Sequence, residues 1–68
     1  MRIIKEIRLE KEMTQRELAR AAGVSSAFMH DLENGNRNAK PATLRRIAEA
    51  LGCSVETLKG GQTDGTAS

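Results

Sequence analysis

Sixty-eight residues make one small domain, near the lower size at which a chain folds without covalent or metal staples. Cys53 is the only cysteine, so no intrachain disulfide forms, and one cysteine with one histidine is too few for a structural zinc site. A net charge of +2 with a pI near 9.1 permits a nucleic-acid partner without demanding one, and a single aromatic residue cannot build a platform for stacking single-stranded bases.

The first stretch, Met1 to Leu9, alternates charge with isoleucine and matches neither a signal peptide nor a membrane span. A soluble, cytoplasmic protein with no membrane partner, no metal and no cofactor is the expectation. Ile3, Ile4 and Ile7 recur at helical spacing and predict helix 1 over about Arg2 to Lys11. "TQRE" then offers Thr14 and Glu17 as a capping box, in which each side chain satisfies an orphan amide at a helix start. Leu18, Ala19 and Ala22 form the buried side of helix 2, and Gly23 supplies the left-handed residue that ends it. Ser25 is the expected cap of helix 3, which closes at Gly35.

The polar loop "NRNAK" follows, and then Pro41, at a first helical turn where proline is accepted. Leu44, Ile47, Ala48 and Leu51 form the apolar stripe of helix 4, which Gly52 stops. Ser54 caps a short helix 5 with Val55 and Leu58 on its apolar side. From Gly60 onward "GGQTDGTAS" has no apolar pattern and reads as disordered. The fold class is therefore all-α: a compact five-helix domain over residues 1–59, then a flexible tail over 60–68.

At about 100° per residue, Val24, Phe28, Met29 and Leu32 share one arc of helix 3, and Ser26, Ala27, His30 and Asp31 share the opposite one. The second arc is short-chained and lacks the Lys and Arg of an ordinary solvated face, as suits close approach to a partner. Helices 2 and 3 joined through "GVS", with Ala19 small enough for close packing, make a helix-turn-helix.

From about Ile4 to Leu58 the chain resembles the phage-repressor and Cro type of helix-turn-helix DNA-binding domain. The resemblance rests on "MTQRELARAAGVS", on "LENG" closing helix 3, and on "TLRRIAEALGCSVETL" for helices 4 and 5. It implies that helix 3 enters the major groove of B-DNA. It also implies that Thr14 and Gln15 hold a phosphate at the start of helix 2, where unsatisfied amides favour an anion. Ser26, Ala27 and Asp31 match positions that meet base edges, with His30 between them. Asn34 matches a phosphate contact, and Arg37, Asn38 and Lys40 occupy the loop beside the sugar-phosphate backbone. Arg8 and Glu33 match an ion pair that holds helix 3 at its angle. Three departures stand out. Glu12 replaces a frequent glycine, so helix 1 is expected to end without a left-handed cap. The loop proline is Ala39, with Pro41 two residues on. Helix 3 lacks the glutamines and arginines that make bidentate base contacts.

Several of these residues have a plainer reading beside the functional one. Ser25 is first a cap and then a phosphate contact; Phe28 packs in the core or meets a thymine methyl; His30 contacts DNA or is simply exposed. Asp31 needs a cytosine amine as its donor to sit near phosphates, Cys53 reads as a small buried residue and not a redox switch, and Arg45 and Arg46 read as solvated. The function that follows is a sequence-specific double-stranded DNA-binding transcriptional regulator, a repressor acting as a homodimer on a palindromic operator. Helix 5 with Val55 and Leu58, together with the adjoining side of helix 4, is the expected dimer contact. An antitoxin or other protein-interaction module on the same fold is the alternative. An enzyme is not expected, since no nucleophile–base pair, metal cluster or phosphate loop is present.

Overall fold

Five helices, α1 (Arg2–Glu10), α2 (Gln15–Ala22), α3 (Ser26–Glu33), α4 (Pro41–Leu51) and α5 (Val55–Gln62), carry the regular structure of the computed structural model, which describes residues 1–62. Among the described residues there is no strand. The backbone of α5 continues to Gln62, past the Leu58 at which the apolar pattern stops; the rest of the expected tail, residues 63–68, lies outside the described residues.

Each helix start has a local cause. Thr14 Oγ1 accepts from the Glu17 amide at 3.0 Å while Glu17 Oε1 accepts from the Thr14 amide at 2.8 Å, a complete capping box. Ser25 Oγ accepts from the Phe28 amide at 3.0 Å, and Ser54 Oγ from the Thr57 amide at 3.1 Å. Pro41 opens α4, where its missing N–H has no partner to lose.

The stops share one backbone device. At the end of α2, the Gly23 amide donates to Arg20 O at 3.2 Å and the Val24 amide to Ala19 O at 2.9 Å, the paired bonds of a Schellman motif. Gly35 with Asn36 closes α3 in the same way, and Gly52 with Cys53 closes α4. The residue that reverses the chain must take a positive φ, which is +74° at Gly23. Helix α1 ends in the same motif, with Glu12 donating to Leu9 O and Met13 to Arg8 O, each at 3.0 Å. The expectation of an α1 without a left-handed cap is therefore overturned: Glu12 itself takes the conformation, at φ +57°. The turn geometry prevails over the residue's preference, at a cost of about 1–2 kcal/mol for a residue bearing a Cβ.

The core consists of Ile4, Leu18, Ala19, Ala22, Met29, Leu32, Leu44, Ile47, Ala48, Leu51 and Leu58. Ala19 and Ala22 keep α2 close to both α3 and α4, and α5 closes over α1 and α4. Val24 belongs to the turn and not to α3, but still packs on the core. Leu58 is fully buried within the single chain, a burial that stabilises by about 1.5–3 kcal/mol. It is therefore unavailable as the dimer contact expected of helix 5, because the monomer core needs it first. The large apolar side chain left in solvent is Leu9 of α1, 57% exposed.

Of the left-handed positions, Glu12 and Gly23 make opposite predictions. Glu12→Gly removes the Cβ strain and is expected to raise stability by about 0.5–1 kcal/mol, read from urea unfolding midpoints. At Gly23 the nearest atom to an added Cβ is Arg46 Nη1 at 4.0 Å, so space is adequate and only φ resists substitution. Gly23→Ala should then lower stability by about 1–2 kcal/mol. A Glu12→Gly midpoint at or below that of the parent would show that Glu12 carries no strain.

Candidate nucleic-acid interface

The α2–turn–α3 unit sets the site. Around α3, Ser26, Ala27, His30 and Asn34 are exposed, Asp31 is half-buried, and Met29, Leu32 and Glu33 are buried. The exposed arc thus presents a hydroxyl, a methyl, an imidazole and an amide, with Asp31 at its flank.

What fixes the orientation of this arc is the pair formed by Arg8 of α1 and Glu33 of α3. Arg8 Nε donates to Glu33 Oε2 at 2.7 Å and Arg8 Nη2 to Glu33 Oε1 at 3.1 Å, a two-pronged contact with the side chains 9% and 2% exposed. Arg8 Nη1 donates to Met13 O at 2.8 Å, and Gln15 Nε2 donates to Glu33 Oε1 at 3.1 Å. One buried carboxylate therefore ties together α1, the first residue of α2 and the end of α3. Gln15, a phosphate candidate by resemblance, already directs one amide hydrogen inward and keeps one for a second acceptor.

The other candidates fall around the arc. Thr14 caps α2, where the Gln15 and Arg16 amides precede the first intrahelical bond, given by Leu18 to Thr14 O. Ser25 is held in its cap. Asn34 Nδ2 lies 3.0 Å from His30 Nε2, one turn away, so a base-facing candidate and a phosphate candidate are in direct contact. Arg37, Asn38 and Lys40 are exposed, and the Lys40 side chain takes no part in capping α4. Of the two readings of Phe28, core packing and contact with a thymine methyl, its placement fits the first. It is half-buried against the core and sits about 160° around the helix from His30. The Arg37 guanidinium lies over its ring, 5.2 Å from the centroid.

Two cations were not singled out from the sequence. Arg2 and Lys5 line a surface cleft with Glu33, Asn34 and Gly35. Only the packing of α1 on α3 brings them beside Asn34. Cys53 is half-buried and free; burial raises its thiol pKa, with Lys11 acting in the opposite sense. Among the described residues no group of three or more His, Cys, Asp or Glu is gathered to hold a metal, and no helix is long and apolar enough to cross a membrane.

Removing one member of the buried pair isolates the other charge. Glu33→Ala is expected to cost about 3–5 kcal/mol, which is most of the stability of a domain this small. Replacing both partners, as in Arg8→Leu with Glu33→Met, should recover much of that loss. Thermal unfolding of the three proteins checks this, and a double variant no more stable than Glu33→Ala would refute it.

A helix-turn-helix family model matches residues 4–58. The chain is 38% identical over 60 residues to the immunity repressor protein of Bacillus phage phi105, aligning 88% of this chain with 42% of that protein. Over 57 residues it is 39% identical to the ImmF control region 10 kDa protein of the same phage, covering 84% of this chain and 63% of the relative. An uncharacterised HTH-type transcriptional regulator of Sinorhizobium fredii is 35% identical over 60 residues, covering 88% of this chain and 79% of the relative. The chain thus spans less than two thirds of each phage relative. With the capping box, the Gly23 turn and the α2–α3 packing all falling inside the matched region, the chain belongs to the helix-turn-helix family of the phage-repressor and Cro type.

Proposed function

We propose that the chain is a sequence-specific DNA-binding unit of a transcriptional repressor, reading the major groove of double-stranded DNA with α3 and without enzymatic activity. The observation that carries this reading is the exposed arc of α3: short side chains, no Lys or Arg, and donors on either side of it. In the chain, Gln15 and the amides opening α2 precede it, and the exposed Asn34, Arg37, Asn38 and Lys40 follow it. Short residues let a helix approach base edges closely, while the flanking donors take the phosphates. Within the arc, Ser26 and His30 offer hydrogen-bonding groups, Ala27 a methyl, and Asp31 an acceptor for a cytosine amino group. So few strong base contacts leave a large share of specificity to DNA shape and deformability. The relatives, among them an immunity repressor and a transcriptional regulator, agree with this role.

One such domain covers a small interface, so useful affinity calls for a homodimer on a palindromic operator. Its longest dimension is 32 Å, close to the roughly 34 Å between half-sites one helical turn apart, so copies on adjacent half-sites are near neighbours. With Leu58 committed to the core, the proposed contact reduces to Val55 and its exposed neighbours on α5, with the adjoining exposed side of α4.

Selection from a random duplex library tests the reading. The expected product is an inverted repeat whose half-site centres lie about one turn apart. Gln15→Ala should weaken binding to all selected duplexes by a similar factor, whereas His30→Ala should alter preference at one position of each half-site. Recovery of no enriched motif at low salt would overturn the proposal.

A further inference from the structure

We infer that Phe28 is the positioning residue for Arg37: its ring holds the guanidinium ready for a DNA phosphate, and Phe28 itself reads no base. The inference rests on the DNA-binding reading and assigns Phe28 a role that neither core packing nor base contact describes.

Phe28 is anchored from two directions. Its amide is held by the Ser25 cap at 3.0 Å, and its half-buried ring packs against the core cluster. The ring lies under the Arg37 guanidinium, whose Cζ is 5.2 Å from the centroid, within the range of a cation–π contact. Arg37 belongs to the irregular segment between α3 and α4, where the backbone alone does not fix so long a side chain. Among the described residues the ion pairs are Arg2–Glu6 and Arg8–Glu33, so no carboxylate tethers Arg37, not even Asp31, one turn beyond Phe28 on the same helix. The ring is what constrains it. Such a tether also suits the proposed task. A carboxylate would occupy the N–H donors, whereas contact with a ring leaves the edge of the planar guanidinium free to donate to a phosphate oxygen. Restricting the side chain beforehand lowers the ordering cost at binding, an effect of about three- to tenfold in affinity.

Two measurements test this. In the DNA-free protein, the Arg37 Hδ protons should show an upfield ring-current shift that Phe28→Leu abolishes and Phe28→Tyr retains. Random-coil Arg37 shifts in the parent would overturn the stack without reference to DNA. With a duplex obtained by selection, Phe28→Leu should weaken binding about three- to tenfold, and Phe28→Tyr should bind like the parent. Arg37→Gln should weaken binding and reduce the salt slope by about one unit. In the Arg37→Gln background Phe28→Leu should have little further effect, because the group it positions is gone. Equal losses in both backgrounds would make Phe28 merely structural and overturn the inference. A changed base preference in Phe28→Leu would make it a base reader, with the same result. A parent protein that binds no duplex would instead overturn the DNA-binding reading, and with it the purpose assigned to the stack.

Discussion

The buried contact between Arg8 and Glu33 is the constraint on which the arrangement of the site depends. Two opposite charges taken out of water recover their lost hydration only where the geometry is good and the remaining polar atoms are satisfied. Here three Arg8 nitrogens find oxygens, and Glu33 accepts a further bond from Gln15. Such a pair adds little net stability compared with apolar packing. What it adds is direction, because a charged fork and a carboxylate fit in few ways, whereas two leucines tolerate many. Helix α3 is thereby set against α1 by an angle-sensitive contact. The start of α2 is joined to it through the same carboxylate.

Much of the architecture was legible in the sequence because its signals are local. Thr14 with Glu17, Ser25, Pro41, Gly23 and Gly52 each act within a few residues of their own position, and their effect is readable without knowing the fold. The stripe Leu44, Ile47, Ala48 and Leu51 is likewise a property of one helix. Where the sequence misled, the deciding contact was remote or the backbone overrode a preference. Glu12 reads as a residue that avoids positive φ, yet the paired hydrogen bonds closing α1 require it. Leu58 reads as one apolar side of a short helix, and nothing in its neighbours says whether that side faces its own core or a second copy.

The site was legible to a different degree. Residue types and spacing located the exposed arc of α3 and its flanking donors, since both follow from helical period and the resemblance. They did not say which donors were already occupied. Gln15 looks free in sequence, but Glu33 accepts one of its hydrogens from 18 positions away. Phe28 and Arg37 lie nine positions apart, in a helix and a loop, and no periodicity pairs them. Arg2 and Lys5 join the neighbourhood of Asn34 only through the packing of α1 on α3.

The helix stops carry a consequence for how such a domain diversifies. Four helix ends are closed by main-chain hydrogen bonds alone, and the core draws on none of Ser26, Ala27 or His30. Scaffold and outward surface therefore rest on separate sets of side chains. Drift on that surface leaves folding intact, so, under the role proposed for α3, single substitutions alter binding preference without passing through unfolded intermediates. The exception is the pair His30 and Asn34, which touch: a change at one alters the surroundings of the other, and these two positions are expected to vary together.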